Sequence, residues 1–293
     1  MKRIMVDMSA TLIHHGHIRL IKKAAEMGEV VIGLTTDEDI LLRKDKGKIC
    51  HLILNRPKAH NSLSKDLLLR LLEEFQKVED EVNIKLVVIS ANGPSFCSGH
   101  DLKEINKSPN KKMYKDLFEL CSKVMLSIIN LSKPVIAKVH STATAAGCQL
   151  VATCDLAIAA ETAKFATPGV NIGLFCSTPM VALTRNVSKK HSMEMLLTGE
   201  MIDAHQAKDF GLVNRVVHED SLDDTVNKLA DIISSKSAKT VAIGKKAFYK
   251  QLELGITDAY KYTSEVMTKN MLSSVAQEGV EAFIQKRHPL WKD

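Results

Sequence analysis

Three features of the sequence predict an α/β layered fold. Short apolar runs read as buried strands, segments with apolar residues at helical spacing lie between them, and turns of small residues stand where strand passes into helix. The runs at 49–55, 86–90 and 135–139 are the clearest strands, and beyond residue 217 the pattern is mainly helical. The chain therefore divides into a leading segment 1–45, an α/β core 46–217 and a helical region 218–293.

In the leading segment, residues 4–6 read as a strand, 16–27 as an amphipathic helix and 30–34 as a second strand, which is one βαβ unit. His14-His15-Gly16-His17 stands at the helix start, where free N–H groups favour phosphate. Residues 30–35 are expected to pair with the strand at 49–55 and cover its edge. Residues 43–48 carry five charges around Gly47 and read as a connector. Residues 56–64 form a turn with helix-capping side chains, and 67–78 follow with helical spacing.

Two later stretches carry the chemistry. Residues 142–152 pass from a turn of small residues straight into a helix, directly after the strand at 135–139. The first N–H groups of a helix have no partner inside it, so they can stabilise a carbonyl oxygen that gains charge. Residues 91–103 repeat the arrangement: a strand end, Gly93-Pro94, then Ser98-Gly99-His100-Asp101 entering a helix. Together they suggest a two-donor oxyanion site, although spacing does not establish that they face each other. Helical spacing recurs at 223–234, 240–253, 256–271 and 278–291.

Composition narrows the partners. The chain has 293 residues, 45% hydrophobic and 25% charged, as expected of a soluble globular protein. No apolar run reaches the roughly 18 residues of a membrane span. The start lacks a signal-peptide core, and Asp7 argues against a transit peptide. The six cysteines are scattered without a CxxC pair, which predicts reduced thiols in an intracellular protein. The histidines show no metal-ligand spacing, so no metal is expected. The net charge of +6 is spread without arginine tracts or interleaved aromatics, which favours anionic small molecules over nucleic acid.

The stretches FCSGHDLKE (96–104), KPVIAKV (133–139), AAGCQLVATCDLA (145–157) and FATPGVNIG (165–173) resemble the crotonase superfamily of enoyl-CoA hydratases and isomerases. EMLLTG (194–199), GLVN (211–214) and EGVEAFIQKR (278–287) continue the match, which covers residues 47–293. The resemblance implies a ββα spiral core, C-terminal helices that pack as a homotrimer or dimer of trimers, and a coenzyme A thioester as substrate or ligand with no permanently bound cofactor. It places the two oxyanion donors at the backbone N–H groups of His100 and Ala146, in fatty-acid or related lipid metabolism. It assigns acyl-CoA contacts to Asp101, Leu102, Lys103, Gly147 and Gly169. Arg56, Lys58 and Ala59 would stand near the CoA nucleotide, and Phe283 and Lys286 at its C-terminal contacts. The compartment it implies is the cytoplasm for a bacterial source and the mitochondrial matrix for a eukaryotic one.

The chemistry departs from that pattern. Hydratases of this kind use two glutamates, one as base and one as acid, where this chain has Gln149 and Gly169. An amide does not exchange a proton at neutral pH and glycine has no side chain, so hydration loses its basis while the main-chain donors survive. Cys176 and Ser177 are the remaining candidates nearby: a thiol becomes a nucleophile or base only if its pKa is lowered. The His100 ring is a further proton-transfer candidate. Residues 8–37 separately resemble the opening of a cytidylyltransferase-like nucleotidyltransferase, with His14 and His17 as its phosphate-stabilising histidines. One βαβ unit cannot close a nucleotide pocket, so that segment reads as a remnant or fused leader. Three readings follow: an enolate-stabilising acyl-CoA enzyme, a catalytically silent acyl-CoA-binding oligomer, and, least supported, a nucleotidyltransferase.

Overall fold

The structure is a computed structural model that describes residues 3–8, 15–27, 29–34, 39–107 and 109–291. It divides into two compact units, residues 1–40 and 41–293. In the first, β1 (Arg3–Met8), α1 (His15–Ala25) and β2 (Glu29–Leu34) form the expected βαβ unit. Its strands pair in parallel from Arg3↔Glu29 to Met8↔Leu34. His14 lies outside the described residues.

The second unit opens with a strand where the sequence suggested a connector. β3 (Leu41–Lys46) and β4 (Ile49–Leu54) form an antiparallel hairpin closed at Gly47, whose φ of +59° suits a two-residue turn. The first compact unit ends at residue 40, and β3 takes the β4 edge that residues 30–35 were expected to cover. The reason is tertiary. Leu41 is buried, and the Arg43 guanidinium bonds Glu81 at 2.9 Å and Glu74 at 3.3 Å, so a charged stretch still gains by lying on the sheet.

α2 (Lys65–Asp80) is capped by the Ser64 hydroxyl and buries Leu67, Leu68, Leu71, Phe75 and Val78, one face at helical spacing. β5 (Leu86–Ala91), β6 (Ser95–Cys97), α3 (Leu102–Lys107) and α4 (Lys111–Asn130) follow. Next come β7 (Val135–Val139), β8 (Thr142–Thr144), α5 (Ala146–Thr153), β9 (Leu156–Ala160) and β10 (Lys164–Ala166). α6 (Pro179–Asn186), α7 (Lys189–Thr198), β11 (Ile202–Asp203), α8 (Ala204–Asp209) and β12 (Arg215–Val217) complete the core.

These strands make two sheets. The larger runs β12-β9-β7-β5-β4-β3, parallel except at β3, and the smaller runs β11-β10-β8-β6. Residues 86–89 and 135–137 are buried on both faces, which explains their unbroken apolar runs. On one face Ile49, Leu86, Val88, Ile136 and Ile158 pack against Leu222, Val226 and Ala230 of α9 (Leu222–Ser234).

α10 (Ala238–Leu252), α11 (Ile256–Met271) and α12 (Ser274–Ile284) end the chain. The last helix stops at Ile284, short of the 291 expected, and Lys286 turns left-handed at φ 55°. α10 is fastened by a buried ion pair, Lys245 Nζ to Asp155 Oδ2 at 2.7 Å. The same oxygen accepts from Val135 N at 2.7 Å, and Oδ1 accepts from the Tyr249 hydroxyl at 2.8 Å. Further along α10, Gly244 is exposed, and a Cβ there would meet nothing within 4 Å. Gly244→Ala is expected to stabilise the fold by about 0.5–1 kcal/mol through helix propensity alone. A urea-denaturation midpoint that falls instead would reveal a contact that glycine serves.

Candidate functional site

The two turns are neighbours because their strands are. β6 and β8 pair in parallel with Ser95↔Thr142 and Cys97↔Ala143, so residues 98–100 and 145–147 leave adjacent strands on the same side. Gly99 has φ +92°, and a Cβ placed on it would lie 2.8 Å from Ala145 Cβ and 3.3 Å from Ala146 N. A Cβ on Gly147 would lie 2.1 Å from the Cys97 carbonyl oxygen. Each turn therefore contributes a glycine because the other backbone is in its way.

The hydrogen bonds around these turns leave two amides over. Leu63 N donates to Gly99 O at 2.7 Å and Asp101 N donates to Leu63 O at 3.3 Å, a parallel bridge that passes over the His100 amide. Ala145 N donates to Ala166 O at 2.9 Å, and Ala146 N opens α5. Among the described residues, no acceptor takes either the His100 or the Ala146 N–H. Ala145 is held at φ 50°, ψ −119°, a conformation that costs a residue with a side chain about 1–3 kcal/mol.

The side chains at and near these turns include an imidazole, an amide and a hydroxyl, and Asp101 is an acid among them. The His100 ring packs edge-on to Phe118 with centroids 5.5 Å apart, and neither ring nitrogen has a hydrogen-bond partner. Burial pulls its pKa down, against an opposing pull from the Leu63 carbonyl, so the imidazole is neutral at pH 7. Gln149 is buried with its Oε1 unpartnered, and the fully buried Thr167 hydroxyl is also unpartnered. At Gly169 a Cβ would lie 2.5 Å from Leu174 O and 2.9 Å from Cys176 Sγ, so that place is filled. Burial raises the Cys176 thiol, outweighing the Gly169 amide that lowers it, which disfavours the thiolate that nucleophilic or base chemistry needs. Ser177 is exposed and spends its hydroxyl on Phe175 O at 3.3 Å.

The remaining expected residues divide. Asp101 caps α3 by accepting from Lys103 N at 3.1 Å and Glu104 N at 3.2 Å, and it pairs with Arg56 at 2.8 Å. Burial opposes ionisation of Asp101, but Arg56 and those amides hold its pKa below the usual carboxylate range. Arg56 is thereby committed to the 98–101 turn, and it also donates to the Ser62 carbonyl. Lys58, Leu102 and Lys103 are exposed and Ala59 is half-buried. Beside this turn a cavity of about 450 Å³ opens along α3 and α4, lined by Lys65, Glu104, Lys107, Met113 and Leu117 among others. Phe283 is 85% exposed and Lys286 is exposed; among the described residues no hydrogen bond or ion pair joins either to the two turns. No group able to hold a metal occurs among the described residues.

One residue that orders the site escapes sequence reasoning. Asn61 is wholly buried at φ 52°; its Oδ1 accepts from Arg56 N and its Nδ2 donates to Asn92 O and Ser95 O, each at 2.8 Å. It ties the 56–62 turn to β6, the strand that leads into the turn carrying His100. Asparagine tolerates the left-handed conformation, and that preference is the one signal available.

Residues 44–293 match the family described as enoyl-CoA hydratase/isomerase. The mitochondrial enoyl-CoA hydratase domain-containing protein 3 of Xenopus laevis is 47% identical over 251 residues, 86% of this chain and 85% of that protein. The human protein of the same name is 46% identical over 83% of this chain and 80% of its own length. Its crystal structure superposes with a TM-score of 0.84 at 45% identity, covering 86% of this chain and all of that one. An enoyl-CoA hydratase structure from Mycobacterium smegmatis gives a TM-score of 0.85 at 48% identity, covering 87% and 100%.

Proposed function

Because the chain belongs to the enoyl-CoA hydratase/isomerase family and has the crotonase fold, we propose that it binds an acyl-CoA thioester and stabilises its enolate without hydrating a double bond. The observation that carries this reading is the contact of the two turns at Gly99 and Ala145–Ala146, with two amides left over beside it. A thioester oxygen accepting both N–H groups would have its growing negative charge met there, an effect worth roughly 10²–10³ in rate per donor. Hydration also needs an acid and a base for water, and Gln149 and Gly169 supply neither. The His100 imidazole has no hydrogen-bond partner, but the burial that lowers its pKa disfavours the imidazolium, so it is a weak base there.

A second reading is favoured by the raised Cys176 thiol and the filled place at Gly169: an acyl-CoA-binding protein that turns nothing over. For either reading we infer a homotrimer or dimer of trimers, supported by the exposed apolar residues Ile256, Tyr260, Met267, Leu272 and Ile284 on the last helices. We also infer a role in fatty-acid or related lipid metabolism. The relatives named as mitochondrial support a mitochondrial location if the source is eukaryotic, and for a bacterial source we infer the cytoplasm. Phe283 and Lys286, both exposed, would then reach CoA across a subunit boundary.

The test is a CoA-thioester binding titration beside a crotonyl-CoA hydration assay. Binding with hydration far below the roughly 10 per second of an ordinary enzyme is expected. The double substitution Gln149→Glu with Gly169→Glu is expected to leave hydration low, because Leu174 O and Cys176 Sγ occupy the second carboxylate's place. Full hydration by the unaltered protein would end the reading.

A further inference from the structure

The direction of the His100 N–H is set by the plane of the peptide that joins it to Gly99. Gly99 stands at φ +92° and has no Cβ to confine it, so the turn does not fix that plane by itself. The restraint comes from the 56–65 segment. Leu63 bonds Gly99 O and Asp101 N, one on each side of His100. Ser98 N donates to His60 O at 3.1 Å, and Lys65 N donates to Glu104 Oε2 at 3.0 Å.

Arg56 spans this bridge from the side. Its Nη1 donates to the Ser62 carbonyl, and to the Ser62 hydroxyl at 3.2 Å, one residue before Leu63. Its Nη2 donates to Asp101 Oδ2 at 2.8 Å, one residue after His100. A planar guanidinium keeps its nitrogens at a fixed spacing, so it holds the two segments at a fixed separation; a lysine would bring the charge without that fork. The arginine is itself anchored, its N–H donating to Asn61 Oδ1 at 2.8 Å and its carbonyl accepting from Ala59 N and Asn61 N, each at 2.9 Å. Asp101 anchors the far end by accepting from Lys103 N and Glu104 N at the start of α3. The two side chains are 21% and 14% exposed, so the pair is screened less than one on the open surface.

Building on the acyl-CoA reading above, we propose that Arg56 is a positioning residue: through Ser62 and Asp101 it fixes the direction of the His100 amide, and so sets how strongly the thioester carbonyl is polarised. Isotope-edited infrared spectra of carbonyl-labelled butyryl-CoA bound to the full chain test this, because a carbonyl stretch falls in frequency with each hydrogen bond it receives. The unaltered protein is expected to lower the band. Arg56→Gln and Arg56→Lys are each expected to lose about half of that shift while binding at most about tenfold more weakly, the worth of one hydrogen bond. Asp101→Ala, which breaks the same pair from the other side, is expected to give the same band. A full parental shift in any of these variants overturns the assignment and leaves acyl-CoA binding standing; if affinity falls while the shift is kept, Arg56 contacts the ligand directly instead. An unaltered protein that does not bind butyryl-CoA, or binds it without lowering the band, removes the acyl-CoA reading and the assignment with it.

Discussion

Asp155→Ala is expected to lower the unfolding free energy by about 3–5 kcal/mol. Asp155 receives Lys245 Nζ at 2.7 Å, the Tyr249 hydroxyl at 2.8 Å and Val135 N at 2.7 Å. Lys245 is buried, and burial pulls its pKa down while Asp155 opposes that pull. Without the carboxylate the ammonium keeps only the Ile128 and Lys133 carbonyls, at 2.8 and 3.0 Å. A neutral carbonyl pair does not balance a buried charge. Replacing the whole group, Asp155→Leu with Lys245→Met and Tyr249→Phe, is expected to cost less: the Val135 N–H and the Ile128 and Lys133 carbonyls lose their side-chain partner, but no charge is left buried and unpaired. Urea unfolding of both variants checks the order, and a triple variant less stable than the single one would mean that the ion pair itself is strongly favourable.

Gly147→Ala is expected to abolish acyl-CoA binding. The added methyl would stand 2.1 Å from the Cys97 carbonyl oxygen and 2.8 Å from both Cys97 C and Cβ. All of these atoms belong to or adjoin the backbone of β6, so no side-chain rotation gives way. The start of α5 must move from β6, which carries the Ala146 amide away from the His100 amide. A shift on the order of 1 Å in such a geometry costs about a hundredfold in rate. Titration with butyryl-CoA measures the loss, and a variant that binds as tightly as the parent would detach the 145–147 turn from the ligand.

Much of this architecture was legible in the residues. The strand at 135–139 and the helix at 256–271 appear at the expected bounds, because β-buried runs and amphipathic faces are local signals. The two glycine-led turns were legible as helix starts, whereas their contact was not: it depends on β6 pairing with β8 across more than forty residues. β3 was missed because its charges are balanced by Glu74 and Glu81, far along the chain. The 20-residue α4, which supplies Phe118 against His100, also went unremarked in the sequence. Asp101 and Arg56, which the resemblance places near the ligand, are also joined to each other, a pairing that only the folded chain brings together.

The Leu174 carbonyl lodged beside Gly169 sets a limit on redesign. A Cβ at 169 would meet main chain at 2.5 Å and sulfur at 2.9 Å. No side chain fits there until the backbone at 174–176 has been rebuilt, so a carboxylate cannot be installed at that place by substitution alone.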